Sequence, residues 1–184
     1  MIFKNVVEND MNRFIINCLF AIGLVFASSF FPENLEMSSR ELQIKKVHMT
    51  NFKWLTDELY ILYDYRSKQY GVDIGLALSL IRAESNGRNI RSYRQNKNGT
   101  HDWGRFQINE VHVDYKNPHR LLIDITNSDY GFRELSLAFK KANGNLKETI
   151  RMYNQGRNGN RKNYTGWAYV NRVVSHYRRN YGRI

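Results

Sequence analysis

Gly71-Val72-Asp73-Ile74-Gly75-Leu76-Ala77-Leu78-Ser79-Leu80-Ile81-Arg82-Ala83-Glu84-Ser85-Asn86-Gly87 decides how the rest of the chain is read. Asp73 is placed to N-cap a short helix, and Asn86-Gly87 supplies a left-handed stop. At the helical period Ile74, Ala77, Ile81 and Glu84 share one face, apolar until it reaches the carboxylate. A carboxylate in that position is either a structural charge, paired with Arg82 or Arg88 at the helix end, or an acid whose pKa is raised by desolvation. The remaining sequence has to choose.

Composition narrows the setting. The chain has 184 residues, enough for one domain of ordinary core size plus an export or linker segment. Lys and Arg outnumber Asp and Glu by 28 to 17, a net charge of +11, so an anionic partner is expected: nucleic acid, anionic lipid or anionic cell-wall polymer. An apolar run, Phe14 to Phe26, follows Arg13 and precedes Ala27-Ser28-Ser29, with small residues at −3 and −1 of a cut after Ser29. This is the grammar of a signal peptide; an uncleaved membrane anchor is the alternative. Either way the domain crosses a membrane, which makes nucleic acid a poor partner and leaves membrane contact to the N-terminal segment. The single cysteine, Cys18, lies inside that run, so the domain beyond it holds together by packing alone.

We therefore expect an export segment or anchor over 1–29, a polar linker over 30–50 with at most a loose turn, and a folded domain over 51–184. Ser38-Ser39-Arg40-Glu41 in the linker has capping-box form. Within the domain, Leu55, Leu59 and Leu62 recur in an amphipathic helix between Asn51 and Tyr70. Asn98-Gly99 signals a tight turn and a small hairpin. Asn127 is placed to cap a helix lined by Phe132, Leu135 and Phe139, ending near Asn143-Gly144. Two more helices follow, Leu146 to Asn154 and Thr165 to about Tyr181. The expected fold class is mainly α, about five or more helices with one small β-hairpin.

Four motifs come in order: Glu84-Ser85, Gly104-Arg105-Phe106-Gln107-Ile108-Asn109, Met152-Tyr153-Asn154-Gln155-Gly156, and Tyr169-Val170 in the last helix. Each is short, but together they resemble the catalytic domain of soluble lytic transglycosylases, a branch of the lysozyme-like superfamily, over about Tyr70 to Val174. The stretch Asn98 to Asn109 looks most like the small secretion- and conjugation-associated members. The resemblance implies a lysozyme-like α+β fold and a peptidoglycan glycan strand as substrate. It implies Glu84 as an acid that protonates the glycosidic oxygen between N-acetylmuramic acid and N-acetylglucosamine. The same group, now a base, takes the proton of the muramic 6-hydroxyl as a 1,6-anhydro ring closes. An acid of that kind must hold its proton near neutral pH, which an apolar helical face favours.

By the same resemblance Ser85, Gln107, Asn154 and Tyr169 line the groove, with Tyr169 orienting Glu84. Phe106 stands at a sugar-facing position, although a buried Phe there is just as ordinary, and Tyr153 is either core or groove wall. Arg105 and Met152 depart from the usual Leu and Ala. Arg105 is expected to face solvent or to add a cation to the groove; Met152 is expected to reshape its wall. Asp102 is either a hairpin brace or the second carboxylate of a hydrolytic muramidase, since a retaining hydrolase needs a pair about 5 Å apart whereas anhydro-ring closure can use one. A catalytically idle wall-binding or scaffold protein is the reading from another class.

The five histidines (His48, His101, His112, His119 and His176) show no metal-ligand spacing, and no phosphate-cradling glycine loop is present, so neither metal nor cofactor is expected. Arg172, Arg178, Arg179 and Arg183 make the last helix basic, a solvated face or a hold on an anionic wall. The domain is expected in a bacterial periplasm or envelope, with an envelope-spanning secretion or conjugation apparatus as a further partner.

Overall fold

A computed structural model describes residues 37–113 and 117–182 of the chain. The expected export segment, the first part of the expected linker and Arg183 lie outside the described residues. Two compact units divide the chain, Met1–Leu42 and Gln43–Ile184. Among the described residues there are six α-helices: α1 (Ser39–Asn51), α2 (Asp57–Tyr70), α3 (Ile74–Ser85), α4 (Asp124–Lys141), α5 (Leu146–Gln155) and α6 (Trp167–Tyr181). Between α3 and α4 lie two short antiparallel strands, β1 (Asp102–Trp103) and β2 (Ile108–Asn109). The class is mainly α with one small sheet, as expected.

Helix α3 follows its sequence closely at both ends. Asp73 accepts the Leu76 N–H at 2.7 Å, and Asn86 turns left-handed at φ 54°, closing the helix through its N–H to the Arg82 carbonyl. The expectation of a single apolar face was too narrow. Every residue from Gly75 to Ile81 is buried, so α3 runs through the core with α2 and α6 packed against it. Leu78, Leu80 and Ile81 have no exposed surface. Burying each such side chain stabilises the fold by about 1.5–3 kcal/mol.

Two expectations fail at the N-terminal side. Where a linker over 30–50 with at most a loose turn was expected, Ser39–Asn51 form α1, 13 residues long. The capping box accounts for its start: Ser38 N–H donates to Glu41 Oε2 at 2.9 Å and the Glu41 N–H returns to Ser38 Oγ at 3.3 Å. No Gly or Pro follows before Asn51, and the helix lacks a clean apolar period, which is why composition read as linker. In turn α2 begins later than Asn51, because Thr56 is the residue that caps it, accepting from the Leu59 N–H. His48 is a core histidine, its Nδ1 2.6 Å from Tyr181 Oη and its ring set between Tyr60 and Tyr181.

The hairpin is more elaborate than its turn signal. Asn98-Gly99 does reverse the chain, with the Gly99 N–H bonded to the Asn96 carbonyl and the Asn96 N–H to the Thr100 carbonyl. That reversal brings Arg91 against Trp103 as an isolated bridge. The paired strands themselves fold about Gly104-Arg105-Phe106-Gln107, matching Asp102 with Asn109 and Trp103 with Ile108.

Asn127 is not a cap. Helix α4 starts before it, at Asp124, and Asn127 lies buried in the first turns. Its amide donates to the Trp103 carbonyl at 2.9 Å and accepts the Phe106 N–H at 2.9 Å, fastening the hairpin to α4. One turn on, Gly131 makes room for the Phe106 ring; a Cβ there would overlap it. Phe106, Tyr63 and Phe132 then form a fully buried aromatic cluster with centroids 5.3–5.9 Å apart, mostly edge to face.

Candidate active site

Glu84 stands on the last turn of α3 and Tyr169 on the first turn of α6, and the packing of these two helices brings them together. Tyr169 Oη donates to Glu84 Oε1 at 2.5 Å. The structural-charge alternative fails on its partners: Arg82 donates to the Asn51 carbonyl and Arg88 to the Ser85 carbonyl. Among the described residues no cation forms an ion pair with Glu84. The residue as a whole is half-buried, and desolvation of its carboxyl pushes the pKa up to about 7. The Tyr169 hydrogen bond and Arg172 pull the other way, while the negative charge of Asp102 adds to the rise. Desolvation wins because a charged form loses more on leaving water than one phenol hydrogen bond returns. Burial, with the charge of Glu84, holds the Tyr169 phenol well above its ordinary range, so it remains a donor.

Asp102 is bound on one oxygen. Its Oδ1 accepts the side-chain amides of Asn96 and Asn109, both at 2.9 Å. Asn109 also reaches Thr100 Oγ1 at 2.8 Å, so the carboxylate is a node of the hairpin network. Both donors are side-chain amides.

Ser85 is buried, its hydroxyl donating to the Arg105 carbonyl at 2.9 Å. It ties the end of α3 to the hairpin tip. Gln107 takes a left-handed φ of 50°, and its amide donates to the carbonyls of Gly104 at 2.7 Å and Ile90 at 3.1 Å, closing that tip on itself. Tyr153 is half-buried and donates to the Phe106 carbonyl at 2.9 Å, so it both packs and braces. Asn154 is exposed, its Oδ1 accepting from the Tyr164 hydroxyl at 2.8 Å, which leaves its amide N–H groups free to donate.

Phe106 takes the buried one of its two readings: its ring has no exposed surface, and its backbone braces the site through Asn127 and Tyr153. Arg105 neither turns to solvent nor enters the groove. Its Nε meets Asp124 Oδ1 at 2.9 Å and its guanidinium donates to the Gly87 carbonyl, clamping the α3 stop to the start of α4. Met152 is half-buried in α5.

Sequence reasoning missed three supports. Asn127 carried a misleading signal, since Asn is also a good cap. Glu110 accepts the Trp103 indole N–H at 2.7 Å and the His101 N–H at 3.0 Å, a second carboxylate brace on the hairpin. Trp54 lies over Gly87, whose φ of 76° and missing Cβ admit the ring against the α3 stop. Nothing in local spacing announced either of the last two. No group of His, Cys, Asp and Glu suited to a metal ion occurs among the described residues. No helix among them is long and apolar enough to cross a membrane.

A central helix ending in a desolvated acid, a small sheet beside it and a tyrosine facing it from the last helix define a lysozyme-like domain. The chain belongs to the transglycosylase SLT domain family, whose model matches residues 62–169 and so runs from α2 through Tyr169. Membership carries a lytic-transglycosylase type of function directed at peptidoglycan. No curated protein and no solved structure matches the chain.

Proposed function

We propose that the chain is a peptidoglycan lytic transglycosylase with Glu84 as its single acid and base. Glu84 gives its proton to the glycosidic oxygen as the C1–O bond between N-acetylmuramic acid and N-acetylglucosamine breaks. The leaving sugar departs with a free 4-hydroxyl. The Glu84 carboxylate then takes the proton of the muramic 6-hydroxyl while O6 bonds to C1, giving the 1,6-anhydro product and restoring the acid. No water enters the balance. The observation that carries this reading is the pairing of Glu84 with Tyr169 in a site that pushes the carboxyl up to about 7. A group with that pKa serves as acid and base in one turnover near neutral pH.

Gln107, Asn154 and Tyr169 are the polar groove residues in this proposal, with Asn154 the one whose amide is most open to acetamido and ring oxygens. Ser85, Tyr153 and Phe106 support the groove from behind. Asp102 acts as a brace. The hydrolytic alternative asks its other oxygen, Oδ2, to attack or stabilise C1, because Oδ1 already holds two amides, and the product ends decide between the two. We further infer that residues 1–29 export the chain, that 30–50 join this segment to the domain and that 51–184 do the chemistry in the periplasm or envelope. A secretion or conjugation apparatus fits as a partner only through the likeness of Asn98 to Asn109 to such members.

Digestion of purified peptidoglycan, with the released muropeptides weighed, tests the proposal. Anhydro-muramic ends, lighter by one water, are expected, and Glu84→Gln should abolish them. Reducing ends in their place favour the muramidase reading; no release favours an idle wall-binding protein.

A further inference from the structure

We propose that α6 and the start of α5 form an anion-binding site for a phosphodiester polymer, separate from the Glu84 site. The two helices border a concavity of about 560 Å³ lined by Lys147, Asn171, Val174, Ser175, Arg178 and Arg179. Three of these six residues are cations and none is an acid. Elsewhere in the unit four arginines are matched with acids: Arg66 with Asp129, Arg105 with Asp124, Arg151 with Glu148 and Arg157 with Glu134. Glu148, next in sequence to Lys147, is taken up by Arg151 and Arg161. Lys147, Arg178 and Arg179 have no ion-pair partner among the described residues. Three like charges facing one concavity repel one another, and an entering anion relieves that repulsion.

The site points away from the groove. Arg178 lies nine positions beyond Tyr169 on α6, about 180° around the helix at 3.6 residues per turn. Its α6 residues also lie past residue 169, where the match to the family ends. The concavity therefore lies on the side of α6 that does not meet Glu84.

The lining selects the ligand class. Arginine forks match phosphate oxygens in pairs, and Ser175 and Asn171 add neutral donors beside them. Three cations exceed what one carboxylate would balance, and a chain of phosphodiesters supplies successive charges. A lipid surface fits less well. Helices that lie on bilayers set exposed apolar side chains beside their basic ones, and no exposed large hydrophobic residue occurs on α5 or α6.

The test measures binding of the full chain to soluble poly(glycerol phosphate) by calorimetry, with polyglutamate of similar charge and with phosphatidylglycerol vesicles as comparisons. Arg178→Ala/Arg179→Ala is set against Arg94→Ala/Lys97→Ala, which removes equal charge from the exposed hairpin turn. Thermal melts establish that both variants fold. Saturable binding to the phosphate polymer is expected, weakened roughly tenfold or more by the α6 variant and less than about threefold by the hairpin variant, as loss of charged hydrogen bonds implies. Equal weakening by both variants overturns the site. Binding to polyglutamate as tight as to the phosphate polymer, stronger binding to vesicles, or no binding to the phosphate polymer overturns the ligand class.

Discussion

Tyr169 Oη sits 2.5 Å from Glu84 Oε1, yet the carboxyl it serves keeps a pKa near 7. The hydrogen bond favours the ionised form, and burial outweighs it. The phenol therefore trims a rise that desolvation alone would carry further. Removing the donor lifts the Glu84 pKa. Tyr169→Phe should shift the carboxyl limb of the pH–rate profile upward and lower kcat by about tenfold or more through lost orientation, within the range assigned to a positioned acid. A profile unmoved in pH would show that the contact has no part in tuning the acid.

Glu84 also weakens the fold. Its folded pKa of about 7 lies above the ordinary 4.5, so the native state holds a proton that the unfolded chain gives up. Stability should fall as pH rises from about 4.5 to about 7 and level off above that, by an amount on the order of 2–3 kcal/mol. Glu84→Gln keeps an oxygen to accept from Tyr169 and removes the ionisation. The variant should melt higher than the native protein at pH 7 and no higher at pH 4, as calorimetric scans at the two values would reveal.

Asp102 raises the Glu84 pKa by its charge, so Asp102→Asn should move the carboxyl limb of the pH–rate profile downward. As a brace it is partly replaceable, since the new amide oxygen still accepts from Asn96 or Asn109. Turnover should drop less than about tenfold and the products should stay anhydro-ended. Loss of turnover in a folded variant is the result that would place Asp102 in the chemistry.

Gly131→Ala reverses an ordinary rule. In an open helix the change stabilises by about 0.5–1 kcal/mol. Here the new Cβ meets the Phe106 ring, which is fully buried between Tyr63 and Phe132 and has nowhere to retreat. Overpacking of this kind costs about 1–3 kcal/mol, so net destabilisation is expected from the urea midpoint.

Helix α3 was more legible than the hairpin packed beside it. Asp73, Asn86 and the apolar run announced α3 because caps and burial are written within a few neighbouring residues. The resemblance then supplied Tyr169, which no local pattern could connect to Glu84 across 85 positions. Asn127 and Arg105 were misplaced for one reason: their partners lie on other elements, and a polar residue's type does not say which distant carbonyl it will meet. Phe106 could be read either way, because an aromatic beside polar groove residues suits either side of a wall. Gly131, the residue that decided the matter, lies in another helix. At α1 the capping box was visible, but a helix without an apolar stripe looks like linker until its neighbours are in place.

The contact between Glu84 and Tyr169 sets an order of events during synthesis. The acid emerges with the middle of the chain, while its phenol belongs to the last helix, and the two meet only when α6 has docked on α3. A nascent or clipped chain that stops short of Tyr169 thus displays a carboxyl with neither its orienting donor nor the cover of that helix. On the proposed mechanism, the site is completed last, after every other described helix of the domain is already made.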